Sequence, residues 1–364
     1  MLNETKNRDI VIDIAKGISI ILVVIGHSPV LIRMIPLNNF LTSFRLPFFF
    51  FVSGIFFKES KPFTQVFIDK ADALLKAYFV TLLLYGILQV AGREVDAGGY
   101  LLGILYGTSS LLPLRWRPMW FLPHLFCVIL FAWIFVRFTR IRTRSIYIRV
   151  LMLLGLLGAG VLMLHPALSV TLQVRALSFQ KAGLPFSLDL APLTCFYFLN
   201  GFLLRDSLLN FSSRRIPLLA AIGLVTAIQY STGASMDLNL RRYDHLVFST
   251  LNAFGMIYIV LSLAAVCARI PMLQSGLTRV GCRSLFVLIF HFFIMQHTAR
   301  LLTRASGTVS LPVGAIAILA GVVLPTLFGT WVRKSAWLSL FFLPLKTNPL
   351  ILKIRSRTDQ AATG

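Results

Sequence analysis

Residues 13–28 read DIAKGISIILVVIGHS, a stretch apolar enough to cross a bilayer that nevertheless holds Asp13, Lys16 and His27. Each ionisable group near a bilayer centre costs roughly 2.5–3.5 kcal/mol on insertion scales, so such groups persist where they pair or act. Eleven residues of α-helix turn through three turns plus roughly 20° and rise about 16 Å. Lys16 and His27 therefore share one face, and Asp13 precedes Lys16 at ion-pair spacing. That face requires the interior of a bundle or a water-filled cavity, not lipid.

The rest of the chain supplies the bundle. Its 364 residues are 57% apolar and only 13% charged, with a mean hydropathy of +0.81, where a soluble chain carries about 25% charged residues. Apolar runs fall at about 10–32, 40–57, 73–91, 119–138, 148–164, 188–204, 216–231, 247–267, 284–302 and 311–331. Each is of a length suited to roughly 30 Å of hydrocarbon. The expected fold is all-α, a polytopic integral membrane bundle of about ten transmembrane helices. A shorter apolar piece, Tyr100 to Leu114, reads as re-entrant or interfacial. Residues 1–333 form the transmembrane domain, and 334–364, with Trp337, Phe341 and Phe342 among Lys346, Lys353 and Arg355, form a tail on the membrane surface. The polar start, Met1 to Asp9, gives no cleavable signal peptide, so the first run is expected to remain as a span.

The net charge of +22 does not mark a nucleic-acid protein, because the basic residues lie in short loops between apolar runs and not on one face of a soluble domain. Ten spans put both termini on one side. That side carries 22 Lys and Arg against 10 on the other, with five arginines in 137–149 alone. By the positive-inside rule both termini are cytoplasmic. Cys127, Cys195, Cys267 and Cys282 lack metal-ligand spacing and are read as free buried thiols, with no metal site.

Alternating the direction of the spans sorts the polar residues by depth. His27, Arg45, Trp120 and His124 fall in one layer near the outer face; Lys16, and with it His291, fall in a lower layer nearer the cytoplasm. A histidine can serve as general base on a hydroxyl or carry an acyl group transiently. Nearby cations can hold a phosphate or a developing oxyanion.

RDIVIDIAKGISIILVVIGHS (8–28) followed by FRLPFFFFVSGIFF (44–57) resembles the opening of the membrane acyltransferase-3 family: a basic residue, ten residues, a histidine, then an aromatic stretch ending in Ser-Gly. The matching positions are Lys16, His27, Pro47, Phe49, Phe50, Ser53 and Gly54. MWFLPHLF (119–126) is similar to the family's Trp-Phe-Leu signature, and GCRSLFVLIFHFF (281–293) to its late Ser…Tyr-x-x-His segment, with His291 in the histidine position. In DALLKAYF (72–79) Ala77 stands where many members have proline, and Phe286 or Phe290 stands for the tyrosine. The wording most resembles the fucose 4-O-acetylase-like and exopolysaccharide O-acetyltransferase branch, to which acetyltransferases of the xanthan type belong.

The resemblance implies transfer of an acetyl group from acetyl-CoA, presented from the cytoplasm, to a sugar hydroxyl of a surface polysaccharide or its lipid-linked precursor, in a bacterial inner membrane. No hydrolase-like domain follows the tenth run, so transfer is expected to be completed within residues 1–333. The candidate catalytic residues are His27, as base or acyl carrier, Lys16 and Arg45. Lys16, Lys70, Lys76 and His291 are candidates for the CoA side. Trp120, His124 and Asn200 are candidates for the acceptor side. Each has a plainer reading beside it: a Lys16–Asp13 pair, an Arg45 that snorkels, an interfacial Trp120 anchor, and structural hydrogen bonds at His124 and His291. The rival function is a transporter or flippase of a glycan intermediate, though such proteins usually bury several carboxylates and carry internal repeats; here Asp13 is the clear intramembrane acid.

Overall fold

A computed structural model describes residues 10–28, 30, 34–92, 96–165, 172–174, 177–179, 183–209, 211–348 and 350–351. Helices dominate: α1 (Ile10–Gly26), α2 (Ile35–Ile55), α3 (Phe63–Lys70), α4 (Lys76–Ala91), α5 (Ala97–Tyr106), α6 (Phe121–Thr139) and α7 (Ile146–Leu162). They continue with α8 (Ala191–Leu203), α9 (Arg205–Leu208), α10 (Arg215–Ser231), α11 (Leu246–Cys267), α12 (Pro271–Gly281), α13 (Ser284–Ser306), α14 (Leu311–Lys334) and α15 (Ala336–Phe342). Two small antiparallel hairpins interrupt them, β1 (Leu172–Val174) with β2 (Leu177–Phe179), and β3 (Met236–Asp237) with β4 (Arg242–Tyr243).

Each expected apolar run contains a helix. Six helical stretches among the described residues are long and apolar enough to cross a membrane: Phe63–Ala91, Leu114–Thr139, Pro185–Leu203, Leu246–Cys267, Ser284–Ser306 and Leu311–Lys334. The outer surface has the composition that lipid favours. Leu84, Ile87 and Leu88 share an exposed stripe of α4, whereas Ser249, Asn252, Thr194, His124 and His291 are buried. The protein is a helical membrane protein.

Local chemistry sets the element ends. Asp96 caps α5 by accepting from the Gly99 amide at 2.7 Å, and Gly107 closes it in the left-handed region. Ser335 ends α14 and caps α15. Between α3 and α4, residues Ala71–Leu75 form a π-helical turn. Ala77, where the resemblance would put proline, lies buried in the first turn of α4, just past this widened turn.

Close packing centres on α2 and α8. A methyl on Gly54 would collide with the Phe198 carbonyl oxygen, and one on Gly201 with that of Phe51. The two backbones meet where neither has a side chain, as small residues allow in membrane bundles. All four cysteines are free thiols. The segment after α14 folds back on the α3–α4 region: Lys346 lies 3.0 Å from Asp69, and the Leu345 amide donates to Asp72 at 2.6 Å. Lys353 and Arg355 of the expected surface tail lie outside the described residues.

Candidate active site

His27 follows the last residue of α1, its amide bonded to the Val24 carbonyl at 3.1 Å. Its Nδ1 lies 3.2 Å from Nε2 of His291 on α13. The hydrogen bonds around His291 fix the protons on both rings. Nδ1 of His291 lies 2.8 Å from the Val287 carbonyl oxygen and 3.0 Å from that of Leu288. Carbonyls only accept, so this nitrogen carries the proton, and the neutral ring accepts at Nε2. His27 must then donate from Nδ1, which leaves the lone pair of its own Nε2 for the cavity that His27 lines.

Sequence depth set His291 beside Lys16; the structure sets it beside His27. The reason is α12, an element not foreseen. Its Gly281 backbone lies against the Asp13 carbonyl and its Leu277 carbonyl against Gly17. Helix α13 therefore starts alongside the second turn of α1, well inside the bundle, and His291 two turns on reaches His27.

The cavity at His27 measures about 270 Å³ and is walled by Arg45, Phe49, Arg117, Trp120, Asp237 and Asn239 among others. Arg45 is 9% exposed, and its Nη1 has no hydrogen-bond partner among the described residues. The guanidinium fits because residue 26 is glycine; a Cβ there would occupy the Nη1 position. A buried, unpartnered donor beside a histidine lone pair is an arrangement suited to a developing oxyanion.

Trp120 lines the same cavity and stacks on His124, with ring centroids 5.4 Å apart. His124 itself is fully buried, 3.1 Å from both the Phe186 carbonyl and the Thr194 hydroxyl. It holds the indole from behind and does not line the cavity.

A second cavity of about 320 Å³ lies below, lined by Lys16, Ser19, Ser53, Phe56, Lys70, Cys282 and Ser284. Phe49 is a wall residue of both cavities. Lys16 pairs with Asp13 at 3.5 Å and sits 3.4 Å over the Phe56 ring. A third cavity, about 280 Å³, shares Phe56, Lys70 and Ala73 with the second and adds Lys58, Lys61 and Lys346. Two expected residues are elsewhere. Lys76 is held 2.6 Å from both Asp72 and the Leu343 carbonyl, and Asn200 donates to the Phe196 carbonyl at 2.8 Å. Neither lines any of the three cavities.

Sequence reasoning missed Asp237, Asn239 and Arg117. The first two ride on the β3–β4 hairpin, which is anchored by an ion pair from Arg241 to Asp189, Nε–Oδ2 2.6 Å and Nη2–Oδ1 3.3 Å. Asp189 also accepts from the Leu184 amide at 2.9 Å.

This geometry, a histidine lone pair and a buried cation in a cavity within a helical membrane protein, is one that suits group transfer at a membrane. The family model described as an acyltransferase domain (Acyl_transf_3) matches residues 9–332. The chain belongs to the acyltransferase-3 family and is a membrane acyltransferase. No curated protein and no solved structure matches it.

Proposed function

We propose that the chain moves an acetyl group from acetyl-CoA to a sugar hydroxyl of a bacterial surface polysaccharide or of its lipid-linked repeat unit. The observation that carries this reading is the His27 cavity sharing Phe49 with a lysine-lined cavity beneath it. In this reading ten helices cross the bacterial inner membrane with both termini cytoplasmic, so the lower cavities open to the cytoplasm and the His27 cavity to the outside. The phosphates of acetyl-CoA lie among Lys58, Lys61, Lys70 and Lys346, and its thioester reaches up past Phe49. The acceptor sugar lies against Trp120, with Asp237 and Asn239 accepting and donating hydrogen bonds to its hydroxyls.

Transfer then runs in one exchange. His27 Nε2 takes the proton of the acceptor hydroxyl as that oxygen attacks the thioester carbon. The carbonyl electron pair moves onto oxygen, which Arg45 Nη1 stabilises. Collapse breaks the carbon–sulfur bond, and the departing thiolate takes the proton back from His27. His291 acts through His27, holding it in the tautomer that has a free Nε2. Transport of a glycan is disfavoured by membership of an acyltransferase family.

The test is the O-acetyl content of the surface polysaccharide from cells carrying wild type, His27→Ala or a deletion, with membrane protein levels measured alongside. His27→Ala is expected to match the deletion at normal abundance and normal polymer yield. Acetylation that survives the substitution removes His27 from the chemistry; polymer lost together with acetylation points to transport.

A further inference from the structure

The five arginines from Arg137 in the last turn of α6 to Arg149 in the first turns of α7 do not play one role. Arg144 donates to the Thr139 carbonyl at 3.1 Å, and Arg149 donates to the carbonyls of Arg144 and Arg142 at 2.8 and 2.7 Å. These two brace the loop backbone. Arg142 bridges Glu59 at 3.1 Å and Asp206 at 3.3 Å, tying the loop to the segments after α2 and α8. Arg137 and Arg140 make no ion pair among the described residues, and both line a recess of about 450 Å³ with Glu59, Trp133 and Arg142. Arg140 holds its place through a left-handed backbone, φ 50°, that non-glycine residues rarely adopt. The Trp133 indole, donating to the Lys61 carbonyl at 2.9 Å, pins the opposite wall.

The recess therefore gathers three guanidinium groups against one carboxylate, on a loop braced by its own arginines, with two of the three outside any ion pair among the described residues. Guanidinium forks match the geometry of phosphate oxygens. What stands beside it is apolar: Ile134 and Phe138, on the same stripe of α6 as Arg137, are exposed, Phe138 by 81%, and Tyr147 at the start of α7 by 83%. A soluble phosphate compound has no use for that surface, whereas an acyl chain does.

We propose that this recess binds the phosphate of an anionic phospholipid, with the headgroup among Arg137, Arg140 and Arg142 and an acyl chain along Ile134 and Phe138. The site is separate from the His27 cavity and does not depend on the identity of the acyl donor or acceptor. It clamps the loop that joins the inner ends of α2, α6 and α8 to the lipid surface.

The full-length protein in detergent micelles, titrated with dioleoylphosphatidylglycerol and read by native mass spectrometry, tests this. Each basic residue at an anionic headgroup is worth a factor of about five, so Arg137→Gln/Arg140→Gln is expected to retain the lipid about twenty-five-fold less well than wild type. Arg269→Gln/Arg279→Gln, which removes equal charge outside the recess, is expected to retain it as wild type does, and dioleoylphosphatidylcholine is expected to bind neither variant differently. Glu59→Gln, which frees Arg142 from one acid, is expected to raise retention, and it keeps the question decidable should the double variant fail to fold. Equal retention by the recess variant, equal loss in the control variant, or no gain in Glu59→Gln overturns the site. Competition by millimolar sodium phosphate as effective as that by lipid overturns the lipid as its ligand.

Discussion

The two cavities that meet at Phe49 are built on opposite plans. The upper one mixes both charge signs, Arg45 and Arg117 with Asp237, and three of its walls are themselves held: Trp120 by His124, His27 by His291, the hairpin by the Arg241–Asp189 pair. The lower one has small and hydroxyl side chains (Ser19, Ser53, Ala73, Gly281, Ser284) with lysines as its charged members. Lysine is a flexible point charge, while arginine and histidine fix direction. A site that steers a proton needs direction; a site that admits a long anionic carrier needs room and charge. On the proposed function, the contrast is that of a reaction centre and an entry.

Substitutions can break this contrast or sharpen it. With purified protein and acetyl-CoA, His27→Ala is expected to lower kcat by about 10²–10⁴-fold, the usual weight of a positioned general base. A rise in KM with kcat unchanged would make the upper cavity a binding site alone. Arg45→Gln is expected to cost about 10²–10³ in kcat with donor KM little changed, as for loss of one oxyanion donor; a comparable rise in KM would show that it holds the ground state as well.

Removing the partner of His27 Nδ1, in His291→Leu, is expected to lower kcat about fivefold, the worth of one orienting hydrogen bond of roughly 1 kcal/mol. His291→Gln, which returns an acceptor oxygen, is expected to recover part of that, a rescue that simple repacking would not give. The smallest effect belongs to the entry. Lys70→Gln is expected to raise the KM for acetyl-CoA about threefold and leave kcat unchanged, as suits one partly screened ion pair. A change in kcat there would erase the division between the two cavities.

Much of both cavities was legible because their charged residues are costly where they stand. Lys16, His27 and Arg45 violate the apolar pattern of their runs, and the helix period alone puts the first two on one face. Depth was harder. It requires knowing where each helix starts, and α12, a moderately polar eleven-residue segment, raised α13 relative to α1 in a way no hydropathy pattern reveals. The hairpin residues Asp237 and Asn239 were invisible for another reason: strands of two residues have no periodicity to read. Lys76 carried its own warning, four residues after Asp72 on one helix face, the spacing at which opposite charges pair.

The Phe49 partition has an electrical side. If the upper cavity opens outward and the lower ones inward, as proposed, water-filled space reaches the aromatic ring from both faces, and the resistive part of the membrane shrinks to about the thickness of a side chain. The transmembrane voltage then falls across that layer, at about 2.3 kcal/mol per elementary charge per 100 mV. Any net charge carried past Phe49 in a turnover would do work against or with that field, so an enzyme with no ion to pump would still feel how well its membrane is energised.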